Sequence, residues 1–190
     1  MAETLETGRT RDRIQTEGDR ALDLARRAHR DQLDRFGRDF IEHPVAVAEL
    51  ALPFTGERGT VLAYLHDTVE KGGVEPEEIE RLFGPETRRM VEVLGQDPSI
   101  EDGTARREDH RRRIAAAGSL EQTIYVNDRR ESILALTALL EGGRRPEDFD
   151  TARRVSLWEG DVEAVDPEKI DPALLSAIRG ELDGLSARLD

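Results

Sequence analysis

The sequence predicts an all-α fold. Apolar residues recur at helical spacing along nearly the whole chain, no segment sustains strand alternation, and Gly and Pro fall where helix ends are expected. No internal repeat is visible.

The first dozen residues, 1–12, lack an apolar pattern and are expected to stay without structure. "RALDLARRAHRDQLDRFG" sets Leu22, Ala25, Ala28 and Leu33 near one face, and Gly37 is expected to stop that helix. Pro44 suits the first turn of the next helix, "PVAVAELAL", which Pro53 is expected to end. A third, "RGTVLAYLHDTVEKG", should end at Gly72 and Gly73. "EPEEIERLFG" opens on Pro76 with acidic residues in its first turn, where the helix dipole favours them. "PETRRMVEVLG" repeats that scheme, and "QDPSIEDGTA" reads as a polar loop. A basic helix, "RREDHRRRIAAAG", and a long apolar-periodic one, "LEQTIYVNDRRESILALTALLEGG", follow. From Arg144 the chain carries Trp158 and a last helix, "PALLSAIRGELDGLSARL", with an apolar face to bury.

At 190 residues the chain is long enough for a real core, and no apolar run reaches the length that spans a bilayer. The N-terminal stretch lacks the apolar segment of a signal peptide, and cysteine is absent, which removes disulfides and thiolate metal sites. A cytoplasmic protein is expected, acting as a monomer or homodimer. The formal charge of −13 argues against nucleic acid as a partner, because the net field repels phosphate backbones. A small anionic substrate is still compatible, since a bound cation and a few arginines can reverse the potential inside one cleft.

The stretch "VLAYLHDTVEKGG" ends an apolar helix on groups that are costly to bury. A carboxylate in such a setting needs a partner, a proton or a metal. The chain has four histidines: His29, His43, His66 and His110. His43 stands at a loop-to-helix junction, His66 and Asp67 stand deep in a helix, and Asp128 interrupts an apolar helical face. Two imidazoles and two carboxylates from three helices can converge on one cation, and that donor set suits Mn²⁺, Fe²⁺ or Zn²⁺ better than Ca²⁺. The plainer alternative pairs Asp128 with Arg129 or Arg130. Arg106, Arg107, Arg111, Arg112 and Arg113 form the dense basic cluster, suited either to holding phosphate or to a solvated helix face. His110, set among those arginines, is expected on the surface.

"ALDLARRAHRDQLDRFGRDFIEHPVAVAEL" resembles the opening of the RelA/SpoT-type hydrolase domain, with its A-H-x-x-Q, G-x-x-[YF]-I and H-P-x-x-V-A elements. "LAYLHDTVEKGGVEPEEIERLFGPETRRMVEVL" is similar to the segment that follows there, including H-D-x-x-E. "IYVNDRRESILAL" lies where that family has its late metal-binding Asp. The resemblance spans residues 20 to 140 and implies the helical fold of HD metal-dependent phosphohydrolases. It implies such a domain over 13–143, with 144–190 as a C-terminal extension packed on it.

By that resemblance His43, His66, Asp67 and Asp128 are metal ligands for one divalent ion, Mn²⁺ first. The implied reaction removes the 3′-pyrophosphate of (p)ppGpp, a small anionic nucleotide. Glu70 matches the acid thought to orient or deprotonate the attacking water, and the neighbouring catalytic position is Lys71, where the family has Asp. Arg35, Arg107, Arg111, Ser132 and His29 are the implied substrate contacts or pocket wall. Four positions depart from the family pattern. Lys71 replaces an acid, Asp34 stands where Arg is expected beside the retained Arg35, Tyr125 replaces a Lys, and Ser132 replaces an Asn. These changes leave two alternatives open: an HD phosphohydrolase for another phosphorylated metabolite, or an impaired HD domain that binds a nucleotide or partner.

Overall fold

The computed structural model describes residues 15–189; the expectation for residues 1–12 lies outside them. The described residues form seven α-helices and one short 3-10 helix (Pro146–Phe149), and the one β pairing among them is an isolated bridge between Leu33 and Asp39. The helices are α1 (Glu17–Ala28), α2 (Glu42–Leu65), α3 (Pro76–Leu94), α4 (Gly103–Ala116), α5 (Ser119–Glu141), α6 (Thr151–Glu163) and α7 (Pro172–Ser186). No helix among the described residues is long and apolar enough to cross a membrane.

Helix α1 starts on a capping box in which Thr16 and Asp19 exchange side-chain and backbone hydrogen bonds. It ends at Ala28 rather than running to Gly37. His29 closes it and stacks on Phe40, with ring centroids 4.6 Å apart, and Asp31 then takes a positive φ. Tertiary contacts thus overrule the helical spacing that reaches Leu33, which is exposed. Asp34 organises the loop that results. Its Oδ1 accepts the backbone N–H groups of Phe36 and Arg38, and its Oδ2 accepts Arg38 Nε at 2.8 Å.

Pro53 does not end a helix. Helix α2 passes through it and breaks three residues later at Gly56, where φ is 63°. The expected helices on either side of Pro85 likewise join as α3, bent at Gly84 with φ 87°.

Helix α5 is the centre of the fold. It packs along α2 on one side and against α6 and α7 on the other. Ile124, Val126, Ile133 and Leu136 supply its apolar contacts, while Glu121, Gln122, Asn127 and Glu131 are polar yet buried. From the C-terminal part, Trp158, Val162, Leu174, Ile178 and Leu185 are buried and continue the same core. Burying a large aliphatic or aromatic side chain contributes roughly 1.5–3 kcal/mol, so α6 and α7 add materially to stability.

Candidate metal centre

The end of α2, the start of α2 and the middle of α5 meet at one buried point. His66 caps α2, and the chain turns at once through Asp67, Thr68 and Glu70. Gly72 lets that turn pass α1 closely, because a Cβ there would lie 2.7 Å from Ala28 Cβ. His43 comes from the first turn of α2 and Asp128 from α5. His43 Nε2 lies 3.1 Å from Asp128 Oδ1 and 3.7 Å from Asp67 Oδ2, and His66 Nε2 lies 3.3 Å from Asp67 Oδ2. Donor atoms of His43, His66 and Asp67 all fall within 4.8 Å of one another, and all three residues are buried.

The orientation of the imidazoles suits a cation. His66 donates from Nδ1 to the Ala63 carbonyl at 2.7 Å, which turns the Nε2 lone pair inward, where that buried atom has no hydrogen-bond partner. His43 Nδ1 meets Glu131 Oε2 at 2.6 Å, so its Nε2 also faces the two aspartates. Imidazoles that ligate metals are oriented in this way, by a carboxylate or carbonyl on the opposite ring nitrogen. Two inward nitrogens and two carboxylates, one of them beside an orphaned buried nitrogen, fit a divalent transition metal.

Protein cations also touch both aspartates. Lys71 Nζ donates to Asp67 Oδ2 at 2.7 Å, and Arg129 donates to Asp128 Oδ2. Burial disfavours charge on both carboxylates, but the neighbouring imidazoles, Lys71 and Arg129 outweigh it and hold both pKa values below the usual range. Burial also pulls His43 down, yet its hydrogen bonds to Asp128 and Glu131 dominate and raise it to about 9.

The centre opens into a cavity of about 230 Å³ lined by Asp34, Arg35, Phe40, Glu70, Lys71, Arg107, His110 and Ser132 as well as by His43, Asp67 and Asp128. Arg35, Glu70, Lys71, Arg107 and Ser132 are therefore brought together with three of the four candidate ligands. Glu70 stands at the rim, its Oε2 accepting the Gln96 N–H at 2.7 Å. Arg111 and His29 are placed elsewhere. Arg111 turns to Asp161 and the Leu157 carbonyl, and His29 is buried behind Phe40, bonded to Gln32. His110 is buried, not exposed, with its ring edge-on to Tyr125. A larger groove of about 940 Å³ lies between α1, α2 and α3 on another face, without a converging ligand set.

Three residues at the site were not singled out from the sequence: Glu131, Arg38 and Asp161. Glu131 lies three residues after Asp128, hence on the same helix face, and that spacing was the available signal. Arg38 bridges Asp34 and Glu131, and no sequence signal marks it.

An all-α domain with two histidines and two aspartates converging where its two longest helices meet defines a class of helical domains with a candidate metal centre. The chain belongs to the HD domain family, whose model matches residues 21–137. It is 38% identical over 85 residues to human guanosine-3′,5′-bis(diphosphate) 3′-pyrophosphohydrolase MESH1, covering 42% of this chain and 48% of that protein. It is 27% identical over 149 residues to guanosine-3′,5′-bis(diphosphate) 3′-pyrophosphohydrolase of Aquifex aeolicus, covering 73% of this chain and 21% of that one. The chain thus spans half or less of the length of these curated relatives. In fold it is similar to the solved structure titled as a metazoan ortholog of SpoT that hydrolyzes ppGpp. The TM-score is 0.73 at 20% identity, covering 90% of this chain and 93% of that one. A Listeria monocytogenes protein, lmo0812, superposes with a TM-score of 0.65 at 18% identity, covering 77% of this chain and 96% of that one.

Proposed function

We propose that this chain is a metal-dependent phosphohydrolase that removes pyrophosphate from the 3′ position of (p)ppGpp, with Mn²⁺ held by His43, His66, Asp67 and Asp128. The observation that carries the reading is the convergence of those four side chains, with inward-facing Nε2 atoms, at the floor of a polar cavity. The names of the curated relatives supply the substrate.

When bound, such a cation supplies Lewis-acid polarisation of a phosphoryl oxygen and a more acidic water. The residues do the rest. Glu70 at the rim takes or orients the proton of the attacking water. Lys71, Arg35 and Arg107 face the same cavity and hold phosphate oxygens, with Ser132 as a neutral donor. His29 and Arg111 contribute indirectly, by packing behind Phe40 and by anchoring α4 to α6.

One observation favours a different phosphorylated metabolite within the same chemistry. Asp34 is committed to Arg38 and to the loop backbone, so the position where the family has an Arg offers no positive charge to an alarmone. A phosphate- and pyrophosphate-release assay with Mn²⁺ across a nucleotide panel including ppGpp decides between these. Pyrophosphate from ppGpp is expected. Release from another nucleotide alone would transfer the assignment, and no release from any would leave a binding module.

A further inference from the structure

Helix α6 lies beyond the residues that match the family model, yet it sends one carboxylate into the ion network behind the metal centre. Asp161 is wholly buried, its side chain 0% exposed. Its Oδ1 accepts Arg111 Nε at 2.8 Å, and its Oδ2 accepts Arg107 Nη1 at 2.7 Å and Arg129 Nε at 2.8 Å. Burial alone would disfavour the charge, but Arg129 and Arg107 outweigh it and lower the Asp161 pKa.

Arg129 is the group that connects this hub to the centre. It is largely buried on α5, its side chain 12% exposed, its guanidinium lies 4.2 Å over the Tyr125 ring, and it donates to both Asp161 and Asp128. Asp128 accordingly divides its oxygens. Oδ2 takes Arg129, and Oδ1 faces His43 Nε2 across the centre. A buried guanidinium this near a cation site opposes a second positive charge, and the opposition is strong where solvent cannot screen it. A carboxylate on the far side of the guanidinium cancels most of that field and also fixes its plane.

We propose that Asp161 is a positioning residue for the metal centre: it holds Arg129 so that Arg129 orients Asp128 without opposing a divalent cation at His43, His66, Asp67 and Asp128. This inference rests on the metal-centre reading. It makes α6 part of the machinery rather than a cover over it, because the same carboxylate also fixes Arg107, which lines the cavity.

The test is Mn²⁺ binding by calorimetry on the full chain, comparing wild type, Asp161→Asn, Arg129→Met and the double variant, with circular dichroism checking the fold. Asp161→Asn is expected to weaken Mn²⁺ binding by about 10–100-fold, the range for groups that support metal ligands from behind. The double variant is expected to regain most of that loss, because the charge that Asp161 offsets is gone. A merely structural role for Asp161 gives a double variant at least as weak as the single one. Wild-type affinity in folded Asp161→Asn, or a double variant no tighter than it, overturns the inference. If Asp161→Asn does not fold, Arg129→Lys carries the same question, since an ammonium cannot fork between two carboxylates. A comparable loss of Mn²⁺ affinity there supports the proposal, and unchanged affinity overturns it. Wild type that binds no Mn²⁺ removes the metal centre itself, an outcome distinct from a wild-type-like Asp161→Asn.

Discussion

Glu131 holds His43 from behind: its Oε2 lies 2.6 Å from His43 Nδ1, while its Oε1 accepts Arg38 Nη2 at 3.1 Å. That arrangement orients the His43 ring and aims Nε2 at Asp67 and Asp128. It also explains why a buried glutamate is tolerated on the central helix, since both of its oxygens are engaged. Asp34, Arg38, Glu131 and His43 form one continuous chain from the surface loop to the centre.

Glu131→Gln is therefore expected to weaken Mn²⁺ binding by about 10–100-fold while leaving the helical circular dichroism signal unchanged. The amide keeps a hydrogen bond but loses the charge that raises imidazole basicity. Calorimetric titration of both proteins checks this, and equal affinities would remove Glu131 from the site.

Glu70 separates chemistry from binding. It lies in the cavity but touches neither imidazole, and its one recorded bond is to the Gln96 backbone. Glu70→Gln is expected to keep Mn²⁺ affinity and KM while lowering kcat by about 10²–10⁴-fold. Steady-state kinetics alongside metal titration reads both quantities. A loss of metal binding would make Glu70 a ligand instead.

The candidate ligand set was legible in the sequence because His66, Asp67 and Asp128 are polar groups in apolar helical sequence and His43 matches the resemblance. Asp128 between Val126 and Ile133 and His66-Asp67 after "VLAYL" put charge into apolar helical sequence, although Asp128 also finds the plainer partner, Arg129. Glu131 and Asp161 were not singled out, since Glu131 follows two arginines and Asp161 stands in "WEGDVE", both ordinary-looking helical sequence. Their partners, His43 and Arg107, Arg111 and Arg129, lie far away along the chain. The helix class followed from periodicity, but helix ends did not. Stacking of His29 on Phe40 and the bond from Gln32 to the Lys71 carbonyl shorten α1, and both are tertiary. The basic cluster misled for a related reason. Density of arginine does not say which carboxylate each guanidinium finds, and Arg113 instead ties three carbonyls at the end of α3.

His110 makes acid stability measurable at one residue. Burial first, then Arg129 and Arg113, lower its pKa from 6.5 to about 4, and neither ring nitrogen has a hydrogen-bond partner. The unfolded chain takes up this proton near pH 6.5 and the folded chain only near 4, so acid favours unfolding across that window. The loss amounts to about 3 kcal/mol once pH falls below both values. It precedes the loss from carboxylates such as Asp34 and Asp161, whose lowered pKa values place theirs below 3.8. Urea unfolding of wild type and His110→Phe from pH 7.5 to 4 checks this. The variant is expected to flatten the slope between 6.5 and 4, and an unchanged slope would contradict it.

Lys71 stands where the RelA/SpoT-type pattern has an acid, and its position gives that difference a physical consequence. Its Nζ lies 2.7 Å from Asp67 Oδ2 and 5.4 Å from the centroid of Phe40. Burial works against its charge, but Asp67 and Asp128 outweigh it and raise its pKa, so it is an ammonium at neutral pH. An ammonium on a carboxylate proposed to bind a metal competes with that metal. Lys71→Met is expected to tighten Mn²⁺ binding by about tenfold, because one opposing charge near the centre is gone. The metal-free protein should at the same time lose thermal stability, because Asp67 is left buried without its partner. Turnover distinguishes the roles further. If the ammonium holds a substrate phosphate, Lys71→Met raises KM for the true substrate although more metal is bound. If it only competes, KM is unchanged and activity at limiting Mn²⁺ rises. Calorimetry and steady-state kinetics on the same preparation read both. Unchanged Mn²⁺ affinity in Lys71→Met would show that the ammonium leaves Asp67 before the cation arrives, and that the pairing matters only to the metal-free fold.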